Sequence, residues 1–270
     1  MRFFLELFLA KGDGIMKAHV LAILTCAVVA ATGGVRGEEA KKPREIIDRA
    51  IVEAGGRDAL ARYKQPFRQE FEPRGPSAGN AAEKPKIRIT TWLPDKLRIE
   101  NTRSRGGQAV TVGAVLNGKQ GSGRGVAGSP GQMKYNHRTM GAAEMAGYEK
   151  LLYAHWVATL LPLDDKMFEL SGLDEIAVDE RPAVGVKVSR ADRPEVRLYF
   201  DKESMMLVKL AWQPNETAWT ELVFDDFAES DGLAYPRKIT SYTDGKQTSE
   251  RQLTEFEFLD KVEDGTFEKF

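Results

Sequence analysis

Residues 195–212, EVRLYFDKESMMLVKLAW, hold two strand-forming runs, 195–200 and 205–212, on either side of the polar turn 201–204. Apolar, aromatic and β-branched runs bounded by a short polar turn read as an antiparallel hairpin. The unit recurs downstream. Runs 219–227 and 235–242 flank Asp231-Gly232, and 248–259 follows Asp244-Gly245. Turns this short cannot hold a crossover helix, so the strands pair with their sequence neighbours.

Upstream, the period becomes two from Pro66 onward. In 86–93, Ile87, Ile89, Thr91 and Leu93 fall on one face and Arg88, Thr90 and Trp92 on the other. Pro94-Asp95 supplies a turn, and Leu97 and Ile99 resume the alternation on the way back. A further apolar strand, 109–116, closes at Asn117-Gly118, a strong hairpin signal. Helical spacing occurs in only a few places. Ile46, Ile47, Ala50, Ile51 and Ala54 form an amphipathic stripe that Gly55-Gly56 stops, and a short turn follows over 58–64. The longest stripe is 142–161, with Met145, Tyr148, Leu151, Leu152, His155 and Trp156, ended by Pro162. These elements predict an α+β fold: a large antiparallel meander with few helices.

The chain has 270 residues, 39 Lys plus Arg, 40 Asp plus Glu, 3 His and a single Cys, and is 42% hydrophobic. The near-neutral balance argues against a nucleic-acid partner, and the apolar content against a disordered chain. The longest nearly apolar run, 20–31, is well short of the ~20 residues of a bilayer helix. It sits instead in the layout of a secretory signal peptide: Lys17, the apolar run, then small residues up to Gly37. The expectation is residues 1–37 as a signal segment, with Met1 and Met16 both open as the start, and one mature domain over 38–270. That domain is expected in the periplasm or secreted, without an integral membrane span. Cleavage near Gly37 removes Arg2, Lys11, Lys17, Arg36, Glu6 and Asp13, leaving a formal charge of −3. It also removes Cys26, and with it disulfide, thiolate-zinc and thiol chemistry. Leu24-Thr25-Cys26 loosely resembles a lipid-attachment signal. Against that reading, Thr25 is larger than the residue expected before such a cysteine, and the apolar run continues past it.

Motifs for catalysis are weak. Gly123, Gly125 and Gly128 match G-x-G-x-x-G after a strand, but Ser129-Pro130-Gly131 follows where a dinucleotide site needs a helix, so an ordinary flexible loop is expected. His137 is read in a polar loop. His155, beside Trp156, is read as packing near the long helix, and the two histidines lack metal-ligand spacing. No G-x-S-x-G elbow occurs. Asp164-Asp165 reads as part of a turn, and Asn215-Glu216-Thr217 as a chance glycosylation match. No cofactor, metal or catalytic residue is implied.

Residues 198–209, LYFDKESMMLVK, resemble the "FDKETGLLVK" hairpin of bacterial outer-membrane lipoprotein-sorting proteins. Val223-Phe224-Asp225-Asp226-Phe227, Asp231-Gly232-Leu233, Tyr235-Pro236 and Lys238-Ile239 resemble the "DYREVDGVKVPFKI" segment of the same group, and Leu253 to Asp260, with Phe267, its last strand. The likeness spans about 44–270. It implies the fold of the periplasmic lipoprotein carrier superfamily, a strongly curved antiparallel sheet forming an incomplete barrel, with helices covering the concave face. In the carriers that hollow holds lipoprotein acyl chains. The chain departs from the group after Asn117-Gly118, where Gly121-Ser122-Gly123 stands in place of a Gly-Trp pair.

The aromatic stripes alone read as a solid hydrophobic core; the resemblance shifts the reading toward a cavity. It implies a non-enzymatic binder of a lipid or an acylated lipoprotein, with Trp92, Trp156, Trp212 and Trp219 as candidates for the cavity or its lid. The alternative it leaves open is an envelope-stress sensor or interaction domain with a protein partner.

Overall fold

The computed structural model describes residues 43–75, 85–129, 131–215 and 217–270. The expected signal segment, its cleavage point and Cys26 lie outside the described residues. Among the described residues, three α-helices, α1 (Pro43–Glu53), α2 (Gly56–Ala61) and α3 (Ala142–Ala158), accompany thirteen strands. The first group is β1 (Phe67–Arg74), β2 (Lys86–Trp92), β3 (Lys96–Arg105), β4 (Gln108–Asn117), β5 (Gln120–Ala127) and β6 (Lys134–Thr139). The second is β7 (Glu169–Val178), β8 (Arg181–Arg190), β9 (Arg193–Asp201), β10 (Leu207–Trp212), β11 (Thr220–Ser230), β12 (Leu233–Thr243) and β13 (Lys246–Phe258). All lie in one antiparallel sheet ordered β6-β5-β4-β3-β2-β1-β13-β12-β11-β10-β9-β8-β7. It is two meanders joined where β1 pairs with β13, open at β6 and β7.

The hairpin at 195–212 forms as its sequence predicts, with Leu198 opposite Leu210 and Val196 opposite Trp212. Its turn is built by Asp201, whose carboxylate accepts bonds from the Ser204 N–H (2.8 Å), the Ser204 hydroxyl (2.9 Å) and the Glu203 N–H (3.1 Å). Burial alone would raise the pKa of this carboxyl; the Ser204 and Glu203 bonds outweigh that and hold it below the usual range. At Asp231-Gly232 and Asp244-Gly245 both loop residues take positive φ, as two-residue turns matched to strand twist require.

Topology places α3. The chain leaves one sheet edge at β6 and restarts at the other at β7, so α3 must cross from edge to edge. Met145 packs on Gly121 in β5, while the His155 ring meets Trp212 in β10 edge-on at 6.3 Å. Those strands are eight steps apart in the sheet, ~38 Å if flat. The two helix positions are only ~15 Å apart along the axis. The sheet therefore curves strongly around α3 as an incomplete barrel, with helices on its concave face.

Four local expectations are corrected. Gly123 and Gly125 lie within β5 rather than a flexible loop, and Gly128 begins the turn to β6. His137 is in edge strand β6, opposite Arg124. The turn expected over 58–64 is α2 followed by a 3-10 turn, Arg62–Lys64. The long helix stops at Ala158: Leu160 takes φ of 63°, and Pro162 sits in a 3-10 turn, Leu161–Asp164, where its missing N–H costs nothing.

Candidate functional site: a hollow between the helices and the sheet

The concave side is apolar because strand alternation puts one row of each strand there. Ile89, Thr91 and Leu93 face inward from the β2 hairpin, and Leu210, Leu222 and Phe224 from β10 and β11. Helix α1 adds Ala50, and the turn after it Ala54; α3 adds Leu151, Leu152, His155 and Ala158. Together they enclose a hollow of about 180 Å³. Its aromatic wall is Tyr63, Phe67, Phe71, Phe200, Phe224 and Phe227. Burial drives the Tyr63 phenol's pKa well above its ordinary value.

The helical layer is fastened at its ends. The Arg44 guanidinium donates to the Leu163 carbonyl (2.6 Å) and to Asp164 (3.3 Å), which Arg57 also contacts. At the other end of α3, Met140 and Met145 occupy the space a side chain on Gly121 would need. At the departure from the Gly-Trp pattern, the space over Gly121 is thus filled by Met140, which follows the adjacent strand and donates its N–H to the Gly121 carbonyl (2.9 Å), and by Met145 of α3.

Two basic side chains reach the hollow. His155 projects from α3. Burial, and secondarily the Arg251 charge, push its pKa down to about 4, so the imidazole is neutral at pH 7. Its Nε2 has no hydrogen-bond partner among the described residues. Arg251, on β13, is 7% exposed, with its guanidinium 5.1 Å over the Phe71 ring. Burial pushes its pKa down to about 10, so it remains a cation.

The four tryptophans separate by face. Trp212 is buried and Trp156 half-buried on the concave side; Trp156 packs edge-on against Phe168 at 5.9 Å. Both lie in the helix–sheet packing beside the hollow, and neither lines it. Trp92, between inward Thr91 and Leu93, is on the convex face under the Lys96 ammonium at 4.4 Å. Trp219 is also outside, with Arg197 4.1 Å over its ring in a shallow depression shared with Tyr199 and Glu221. The wall is phenylalanine and leucine, which inward parity on each strand marks out once register is known. Arg251 carries no such signal, since an inward arginine breaks the alternation. No group of three His, Cys, Asp or Glu suited to a metal occurs among the described residues. No described helix is long and apolar enough to cross a membrane.

No protein-family model matches the sequence, and no curated protein matches it significantly. Among solved structures, the chain is similar to a LolA superfamily protein from Nitrosomonas europaea, at 10% identity and TM-score 0.47, over 84% of this chain and 97% of that one. It is also similar to an outer membrane lipoprotein-sorting protein domain from Vibrio parahaemolyticus, at 10% identity and TM-score 0.45, over 84% and 96%. A third is a DUF1329 family protein from Desulfovibrio piger, at 11% identity and TM-score 0.42, over 84% and 97%.

Proposed function

We propose that this protein is a non-enzymatic binder of an apolar ligand, a lipid or the acyl chains of a lipoprotein. It would work in the periplasm or outside the cell, after loss of residues 1–37. The observation that carries the reading is the apolar hollow between α3 and the inner face of the curved sheet. Each methylene moved there from water contributes ~0.8 kcal/mol. At about 180 Å³ the hollow is close to the roughly 150 Å³ that accepts a benzene and below the roughly 300 Å³ at which ligand pockets begin. A long acyl chain therefore requires the helical layer to lift, with Trp156 carried on that lid and Trp212 in the sheet beneath His155.

The test is mass spectrometry of organic extracts of the purified protein beside a Trp156→Glu variant. The reading expects stoichiometric lipid in the parent chain and less in the variant. A parent chain that carries no lipid and takes up no added acyl ligand would overturn it.

A further inference from the structure

The hollow is not uniformly apolar, and a buried cation, Arg251, sits on an inward row. Arg251 stands opposite Ile239 of β12 and Pro73 of β1, with Phe71 under its guanidinium. A leucine would complete this wall for a plain hydrocarbon. Arg251 instead puts a positive charge on an otherwise apolar wall, where the low polarity of the surroundings strengthens its attraction for an anion. Arg251 has contacts within the protein; what matters is its sign and its position on the wall.

His155 lines the same hollow from the helix, with a buried Nε2 that no described residue engages. The corner is polar behind it. The Trp212 indole N–H, beside His155, and the Ser241 hydroxyl, two residues along β12 from Ile239, are also buried without partners among the described residues. Arginine offers a fixed fork of donors that matches an oxyanion, and a neutral imidazole can add one more.

We propose that the hollow takes an amphiphile with an anionic head, a carboxylate or a phosphate, seated against Arg251 and His155 with its chain along the phenylalanine wall. This rests on the apolar-binder reading above and adds the charge of the ligand. The hollow is then polar at one corner and greasy elsewhere, which fixes the direction in which a chain lies.

The test is equilibrium binding at pH 7.5 of decanoate, decyl phosphate and decanol, which share a chain and differ in the head. The parent chain should bind at least one of the two anions roughly tenfold or more tightly than decanol, the scale of a charge-assisted hydrogen bond. Whether decanoate or decyl phosphate leads identifies the oxyanion, and either one leading supports the proposal. Arg251→Met should abolish the preference, and a circular dichroism spectrum that matches the parent's reports that the variant is folded. A readout independent of any variant is the imidazole NMR signal of His155 in the parent chain. At saturation it should move clearly further with the preferred anion than with decanol. Equal binding of all three, or a preference that survives Arg251→Met, would overturn the anionic head and leave the apolar hollow standing. Failure of every amphiphile to bind would overturn both.

Discussion

A Cβ placed on Gly55 would lie 1.8 Å from the carbonyl oxygen of Gly232, so the turn that ends α1 rests directly on the turn that opens β12. The adjacent Ala234 N–H donates to the Ala54 carbonyl at 3.3 Å. The glycine pair that stops the first helix therefore also docks it on the sheet.

Gly55→Ala and Gly56→Ala should separate these roles. Both positions have positive φ, but a Cβ on Gly56 meets nothing within 4 Å. Gly56→Ala should cost the backbone strain of roughly 1–2 kcal/mol. Gly55→Ala must add a backbone collision and cost clearly more. Urea denaturation of the two variants measures the gap; equal costs would mean that the α1 turn does not dock on β12.

His155 makes folding sensitive to mild acid. Its folded pKa is pushed down to about 4 by burial and then by Arg251, against 6.5 for the free group. The unfolded chain thus binds the proton first. Stability contributed by this residue is intact above about pH 6.5, falls through the interval, and is fully lost below about 4, a total of about 3 kcal/mol. The ring packs on Trp212, so His155→Phe should keep that contact and flatten the stability curve between those limits. Denaturation at pH 7, 5 and 4 is the check, and an unchanged slope would exclude the buried neutral imidazole.

Met145 and Gly121 should be coupled. The Met145 sulfur sits where a Gly121 side chain would go. Gly121→Val should loosen the start of α3, and Met145→Ala should cost about 2 kcal/mol through the cavity it leaves. In the double variant the valine partly fills that space, so the combined loss should fall short of the sum by about 1 kcal/mol, as for residues in direct contact. Additive losses would place α3 elsewhere.

On the convex face, the Phe270 ring lies between Arg98 (4.4 Å) and Arg124 (4.3 Å) over the bare Cα of Gly113. Phe270→Ala should cost about 1–2 kcal/mol, the worth of two such cation–ring contacts at the surface. Gly113→Ala should cost more, because its Cβ would also approach the Ile99 carbonyl at 1.9 Å. Thermal unfolding of both variants tests the order.

The strand–turn–strand units were legible because their turns are locally encoded. Asp231-Gly232 and Asp244-Gly245 take the positive φ that such residues tolerate. The β7–β8 hairpin was not, since its turn is Asp179-Glu180, whose glutamate gives no turn signal yet takes φ of 66°. β5 was obscured by Gly121, Gly123 and Gly125, which look like loop residues. Met140 and Met145 pack against the first, Arg138 and Asn136 against the others. The tryptophans were expected at the cavity because they are large and amphipathic. Face assignment rests on one-residue parity, and it puts Trp92 and Trp219 on the convex side. Arg251 could not be singled out among the chain's basic residues, because only tertiary pairing buries it beside Phe71.

The most direct test of the central claim is a crystal structure of the protein grown with a decanoate brominated along its chain, read by anomalous scattering. The account predicts bromine between α3 and the inner face of the sheet, walled by Phe71, Leu210 and Leu222, with α3 displaced outward. Bromine only on the convex face, or an unchanged hollow holding none at saturating ligand, would contradict it.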